Sequence, residues 1–270
     1  PQLATCAAWS FDAWRPKANS GRPEASPPTW HAEESGSVLR IEKPSQLEPA
    51  RRLCRDWAPD LLHVHHAMLW EEACLLSAGR LPRLYHVHTL QAEQERLRGQ
   101  TEPTLSSSAE ARALAQAEAV IAPSRAAAAT LLHHLPELES RLQVIGLGVD
   151  PPPPADEQAA RAPHILVAGR FSDVKGTDLL AEILPTIFRR HPEIRLRLAG
   201  GCPENPRAQR RWLRRLEESL GEDWARVEFL GWLSKEDLAE EYRQARLLLC
   251  PSRFETFGQS VAEAMAHGVC

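Results

Sequence analysis

None of the six cysteines (Cys6, Cys54, Cys74, Cys202, Cys250, Cys270) belongs to a Cys-x-x-Cys pair, and they lie scattered over the 270 residues. A zinc ribbon or a disulfide framework is therefore disfavoured, and reduced thiols in the cytoplasm fit better. Long apolar runs are also missing: nothing approaches the ~20 residues of a membrane span. No repeat at solenoid period and no heptad array is present, which argues against stacked repeats and a long coiled coil. Positive charge is not in excess either. With 32 Lys and Arg against 36 Asp and Glu, and a net charge of -4, nothing favours nucleic acid as a general partner. What remains is an ordinary globular composition, 43% hydrophobic and 25% charged, long enough for one large or two medium domains.

Short apolar runs alternate with helical patterns. Val38–Ile41, Leu61–His65, Leu84–His88, Ala119–Ala122 and Gln143–Ile145 read as strands, as does Leu3–Ala7, while Glu110–Glu118 and Ser124–Leu135 read as helices. Such alternation predicts a mostly parallel sheet covered on both faces. Residues 17–37, rich in Pro, Ser and Gly, read as a long loop. Pro151–Pro154 is a stiff polyproline segment that no sheet interior accepts, and it separates a first domain, 1–154, from a second, 155–270. Beyond it the alternation restarts at Ile165–Ala168, Arg195–Ala199, Val227–Leu230 and Leu247–Cys250. Leu179, Leu180, Ile183, Leu184, Ile187 and Phe188 form one helical stripe, which Pro185 is expected to kink. The expected fold class is α/β, two Rossmann-like domains facing a ligand cleft, with the second domain incomplete.

The densest chemistry lies near the end of the chain. After the apolar run Leu247–Cys250 come Pro251-Ser252-Arg253-Phe254-Glu255-Thr256-Phe257-Gly258 and then the helical Gln259–Gly268. Ligands of open α/β sheets bind beyond the carboxyl ends of strands, where this loop falls. Gly258 allows backbone N–H groups close to a ligand, and a helix starting near Gln259 aims its positive end at the same place. Glu255 and Glu263, eight positions apart, can accept hydrogen bonds from hydroxyls on either side of a phosphate. A nucleotide-sugar has that pattern of charge and hydroxyls. Taken alone, the two carboxylates favour a plainer reading, with Glu255 capping a helix and Glu263 a solvated helix residue.

The loop after the first strand of the second half, Gly169-Arg170-Phe171-Ser172-Asp173-Val174-Lys175-Gly176, offers a guanidinium fork and a point charge to a diphosphate. Its bland alternative is a surface turn with two solvated cations. His63, His65, His86 and His88 form two His-x-His pairs, each pair on one face of its strand. Four imidazoles can mark a metal, but no carboxylate or thiol is placed to complete such a site, so no metal is expected. The basic stretch Arg207–Arg215 fits weak peripheral contact with anionic lipid, or a solvated helix laced with ion pairs to Glu217 and Glu218.

The Pro251–Gly268 segment resembles the Glu-x7-Glu signature of family-four retaining nucleotide-sugar glycosyltransferases, which have the two-Rossmann-domain GT-B fold. The Gly169–Gly176 loop resembles the family's Gly-Arg-x4-Lys-Gly element, Asp60–His65 its Pro-Asp-x-x-His-x-His strand, and Leu84–Thr89 the strand ending in an active-centre His. Ala117–Ser124 resembles Ala-Asp-x-Val-Ile-x-x-Ser with Glu118 for Asp. Ile145–Asp150 resembles Pro-Asn-Gly-Val-Asp with Gly146 and Leu147 for Pro and Asn. Val227–Gly231 resembles the strand leading to the nucleotide-base pocket.

The resemblance runs from about residue 60 to 270 and implies sugar transfer from a UDP-, GDP- or ADP-sugar to a hydroxyl acceptor with retention, without a tightly bound cofactor. It implies that Gly169, Arg170, Lys175, Glu255, Phe257, Gly258 and Glu263 bind the donor. Arg170 and Lys175 would stabilise the pyrophosphate, Glu263 the ribose and Glu255 the sugar. His63 and His65 would lie on the acceptor side, with His88 at the reacting face. The alternatives are a nucleotide-sugar epimerase, a sugar phosphorylase on the same fold, or a non-catalytic sugar-nucleotide-binding protein. It also implies further polypeptide at both ends.

Overall fold

The computed structural model describes residues 29–33, 36–40, 52, 60–77, 79–150 and 162–270. The chain divides into two compact units, one of Pro1–Glu95 and Gln100–Gly146, the other of Arg96–Gly99 and Leu147–Cys270. The change of unit thus falls at Gly146–Leu147. The polyproline segment and the Leu3–Ala7 run lie outside the described residues.

Strands β1 (Thr29–Glu33) and β2 (Gly36–Arg40) pair antiparallel, with Thr29 opposite Arg40. This corrects two expectations. Part of the 17–37 stretch is strand rather than loop, and the Val38 run joins a hairpin instead of the parallel sheet.

The parallel sheet of the first unit has the order β3 (Leu62–Val64), β4 (Arg83–His86), β5 (Ala119–Ala122), β6 (Leu142–Val144). Around it lie α1 (Trp70–Ser77), α2 (Gln91–Leu97), α3 (Leu105–Gln116) and α4 (Arg125–His134). Short polar caps start the helices: Thr104 accepts from Ser107 N, and Ser124 from Ala127 N at 3.0 Å. Ser124 therefore ends one motif and begins a helix. Leu62, Tyr85, Val87, Val120 and Ala122 are buried with Trp70, whose indole N–H donates to Gln116 Oε1 at 2.8 Å. Glu118 accepts from Arg83 N at 2.7 Å and from Arg83 Nη2 at 2.8 Å, so the longer side chain at this motif position tethers the start of β4.

The second unit has β7 (His164–Arg170), β8 (Arg195–Gly201), β9 (Val227–Gly231) and β10 (Leu247–Leu248), with α5 (Thr177–Arg190), α6 (Pro206–Leu220), α7 (Lys235–Gln244) and α8 (Gln259–Ala266). Both faces of the sheet are covered. Ile165 and Val167 join Leu180, Leu184, Phe188, Trp212 and Leu216 on one side, while Leu166 joins Tyr242, Ala245 and Ala264 on the other. This is the period-two alternation of a doubly wound sheet.

Helix α5 runs through Pro185. Proline has no N–H to give the carbonyl four residues back, and the Ser219 hydroxyl of α6 donates to that carbonyl, Ala181 O. The neighbouring helix therefore supplies the donor that the proline removes.

The strand order β10-β7-β8-β9 positions the candidate site. The chain winds outward from β7 to β9 and then returns to the opposite side of β7. The chain after β7 feeds α5 on one face of the sheet and the chain after β10 feeds α8 on the other, which makes this the switch point where open α/β sheets bind ligands.

Candidate active site

Two loops leave the carboxyl ends of β7 and β10 at that switch point, and they are the Gly169–Gly176 and Pro251–Gly258 segments. Glycine lets them meet. Gly176 has φ 66°, and a Cβ there would lie 2.1 Å from Pro251 O. Gly200, beside Gly169 in the register, would push a Cβ to 2.0 Å from Gly169 O. No other residue type fits either position without a backbone shift.

Polar contacts then lock the loops together. Arg253 N donates to Val174 O at 2.8 Å, and Arg253 Nη1 to Asp173 O at 2.7 Å. The Arg253 fork also grips both carboxylate oxygens of Asp178, at 2.6 and 2.7 Å. This guanidinium holds the Asp178 carboxyl below the usual carboxylate range. Within the first loop, Ser172 N donates to Thr177 Oγ1 at 2.9 Å, and Lys175 N to Ser172 Oγ at 3.2 Å.

Lys175 Nζ stands 2.6 and 2.7 Å from the two oxygens of Glu255, and Ser252 Oγ donates to Glu255 Oε1 at 2.7 Å. Both partners are only half-buried, which leaves them reachable by a ligand. Gly258, with φ 83°, turns the chain into α8, whose N-terminus follows directly. Further along α8, Glu263 accepts from Tyr242 OH at 3.0 Å and from Gln259 Nε2 at 3.2 Å. Burial, then the nearby Glu263 carboxylate, pushes the Tyr242 phenol well above its ordinary range.

Of the donor residues expected from sequence, Gly169, Lys175, Glu255, Phe257, Gly258 and Glu263 thus sit on these two loops and the helix they feed. Arg170 ends β7 exposed, with Nη1 3.5 Å from Glu204 Oε1 in the loop after β8. It is not part of the Lys175–Glu255 contact. Tyr242, Ser252, Arg253 and Asp178 were missed, because the sequence around them carries no signal of their long-range partners. Trp232, 60% exposed just past β9, was also not singled out.

In the first unit, His63 lies in β3 and His86 ends β4, while His65 and His88 follow the two carboxyl ends. All four rings group together. His86 and His88 stack at 4.4 Å between centroids, and His65 Nδ1 lies 2.9 Å from His88 Nε2. Burial, then the neighbouring imidazoles, lowers His65 and His86 to about 4, so both are neutral at pH 7.

Helix α6 directs Trp212, Leu216 and Leu220 into the core while Arg207, Arg210, Arg211, Arg214 and Arg215 face solvent. Its apolar stripe is packing surface. Among the described residues no helix is long and apolar enough to cross a membrane.

Comparison with known proteins identifies the family. Residues 162–270 match the family described as glycosyl transferases group 1, and residues 21–152 match glycosyltransferase family 4. The chain belongs to the group 1, family 4 glycosyltransferases. It is 41% identical over 108 residues to mannosylfructose-phosphate synthase of Agrobacterium fabrum, covering 38% of this chain and 23% of that one. It is 30% identical over 227 residues to D-inositol 3-phosphate glycosyltransferase of Mycolicibacterium smegmatis, covering 80% of this chain and 47% of that one. The chain thus spans about half the length, or less, of the curated glycosyltransferases it matches.

Among solved structures, sucrose-phosphate synthase from Thermosynechococcus elongatus superposes with a TM-score of 0.73 at 22% identity, over 92% of this chain and 67% of that one. HepE of Anabaena in complex with UDP-glucose gives 0.65 at 21% identity, over 83% and 61%. These likenesses establish the GT-B type of fold: two α/β units, each with a parallel sheet.

Proposed function

We propose that the protein transfers a sugar from a nucleoside-diphosphate sugar to a hydroxyl acceptor, with retention at the anomeric carbon. The carrying observation is the Lys175–Glu255 contact at the β7/β10 switch point, which joins a cation suited to a phosphate and a carboxylate suited to a sugar hydroxyl. HepE binds UDP-glucose on a similar fold, which supports a uridine donor without excluding GDP or ADP.

In this reading the diphosphate lies over the α8 N-terminus, where helix dipole and backbone N–H groups favour an anion. Lys175 exchanges its Glu255 partner for a phosphate oxygen, and Arg170 turns from Glu204 to the same group. Fixed cations count most as the bond to the leaving diphosphate breaks, because charge grows there. Glu255, released from Lys175, accepts from the sugar hydroxyls, and Glu263, held by Tyr242, accepts from the ribose. His63 and His65 flank the acceptor side, and His88 lines the reacting face. Leaving-group-assisted attack on the departing side gives retention with no enzyme nucleophile. We place the reaction in the cytoplasm, with the outward arginines of α6 available for weak contact with anionic lipid.

Incubation with radiolabelled UDP-, GDP- and ADP-sugars and a panel of hydroxyl acceptors tests the reading. Label on an acceptor supports it. Isomerised sugar, phosphorolysis, or binding without turnover each replaces it with another activity of this architecture.

A further inference from the structure

The four-histidine group has a geometry that sugar transfer does not require. The register that pairs Val64 with Tyr85 brings His65 level with His86, so the two His-x-His pairs face one another across β3 and β4. One ring nitrogen from each of His63, His65 and His86 lies within 4.8 Å of the other two. His63 Nε2 and both ring nitrogens of His86 are buried with no hydrogen-bond partner. Buried imidazole nitrogens normally find a donor or acceptor, and three orphans in one group call for an occupant.

We propose that His63, His65 and His86 bind one divalent transition-metal ion of the Zn2+ class. The donor set selects the ion. Three neutral imidazoles suit Zn2+, Co2+, Ni2+ or Cu2+, whereas Mg2+ and Ca2+ require oxygen ligands, and among the described residues no carboxylate joins this cluster. Expecting no metal from sequence relied on the lack of a carboxylate or thiol, but three histidines with an open fourth position form a complete set. His88 supplies the outer partner: the His65 Nδ1 to His88 Nε2 contact of 2.9 Å engages one nitrogen of His65, so Nε2 is the one that would ligate. Tetrahedral bonds of about 2.0–2.1 Å put donors about 3.4 Å apart, so small ring rotations close the site. The ion would staple β3 to the end of β4 inside one unit and fix the orientation of His63, His65 and His88, which the proposed function sets beside the acceptor; its detection requires no sugar transfer.

The test is titration of the metal-stripped full chain, free of any histidine tag, with Co2+ followed by visible absorption, and then displacement by Zn2+. One equivalent of Co2+ with a tetrahedral nitrogen-ligand band, displaced by Zn2+, is expected. His63→Asn, His65→Asn and His86→Asn should each weaken binding by more than about a hundredfold, beyond the roughly 10–100-fold loss that outer-partner changes usually cause. Changing the exposed pair His133 and His134 to Asn should leave it intact. Circular dichroism of each metal-free variant checks folding. Should buried His86→Asn unfold, half-buried His65→Gln carries the test. No band in the intact chain, a band that survives all three changes, or one lost with His133 and His134 would overturn the proposal.

Discussion

Lys175 Nζ and the carboxylate of Glu255 meet at 2.6 and 2.7 Å although 80 positions of sequence separate them. The contact requires β10 to lie beside β7 rather than beyond β9, and it therefore depends on the strand order as much as on the residues. Because both side chains remain partly exposed, the pair contributes little to stability, on the order of 0.2–1 kcal/mol. Its value is positional: it holds a cation and an anion together at the switch point.

Glu255 and Glu263 should separate on substitution. Glu255→Gln is expected to lower turnover more than nucleotide affinity, because Glu255 faces the sugar. Glu263→Ala is expected to lower nucleotide affinity. Calorimetric titration with the free diphosphate, alongside transfer rates, measures both. Equal loss of binding in the two variants contradicts this division.

Tyr242 acts through Glu263. Tyr242→Phe keeps the ring in its buried position but removes the 3.0 Å bond to the carboxylate, a loss of about 0.5–1.5 kcal/mol. The variant should fold normally, with weaker nucleotide binding and an unchanged ratio of transfer to hydrolysis. A Tyr242→Phe protein that binds as tightly as the parent would show that Glu263 needs no such support.

Gly176→Ala tests the loop junction. A Cβ at 2.1 Å from Pro251 O, on a residue with φ 66°, has to displace backbone, costing about 1–3 kcal/mol. The melting temperature should fall and nucleotide binding should weaken with it. A melting curve like the parent's would mean that the loops are not pressed together at this glycine.

Two opposed contributions should act between pH 4 and 7. His65 and His86 are lowered to about 4 from an ordinary 6.5, so the unfolded chain binds more protons between those values and stability is lost as pH falls through them. Glu110 is raised to about 7 by burial, so its contribution is full below 4.5 and is lost as pH rises through 7. Thermal melts of the metal-free chain from pH 4.5 to 8.5 check this. Two histidines outweigh one carboxyl, so stability should fall on acidification below 6.5; His65→Gln should flatten that fall and Glu110→Gln steepen it, and unchanged slopes would contradict the assignment.

Much of this was legible in the sequence. Strand-helix alternation anticipated nine of the described strands, all but β1, and the two glycine-bearing loops marked the site before any geometry was known. Their legibility is physical: a parallel sheet needs continuous apolar runs, and a phosphate loop needs glycine beside cations. What was hidden depends on pairs distant in sequence. Arg253 reads as one more surface cation until Asp178 lies against it, and Ser219 as a solvated serine until Pro185 frees a carbonyl. The β1–β2 hairpin was hidden by its Pro-, Ser- and Gly-rich surroundings. The grouping of His63 and His65 with His86 and His88 required the β3–β4 register.

The central claim is that the loops after β7 and β10 form one diphosphate site, and isothermal titration with UDP, GDP and ADP tests it most directly. The intact chain should bind at least one of them, and Arg170→Ala and Lys175→Ala should each weaken that binding by about 1.5–3 kcal/mol, the worth of a charge-assisted contact. Diphosphate affinity unchanged in both variants, or no binding of any of the three, would contradict it.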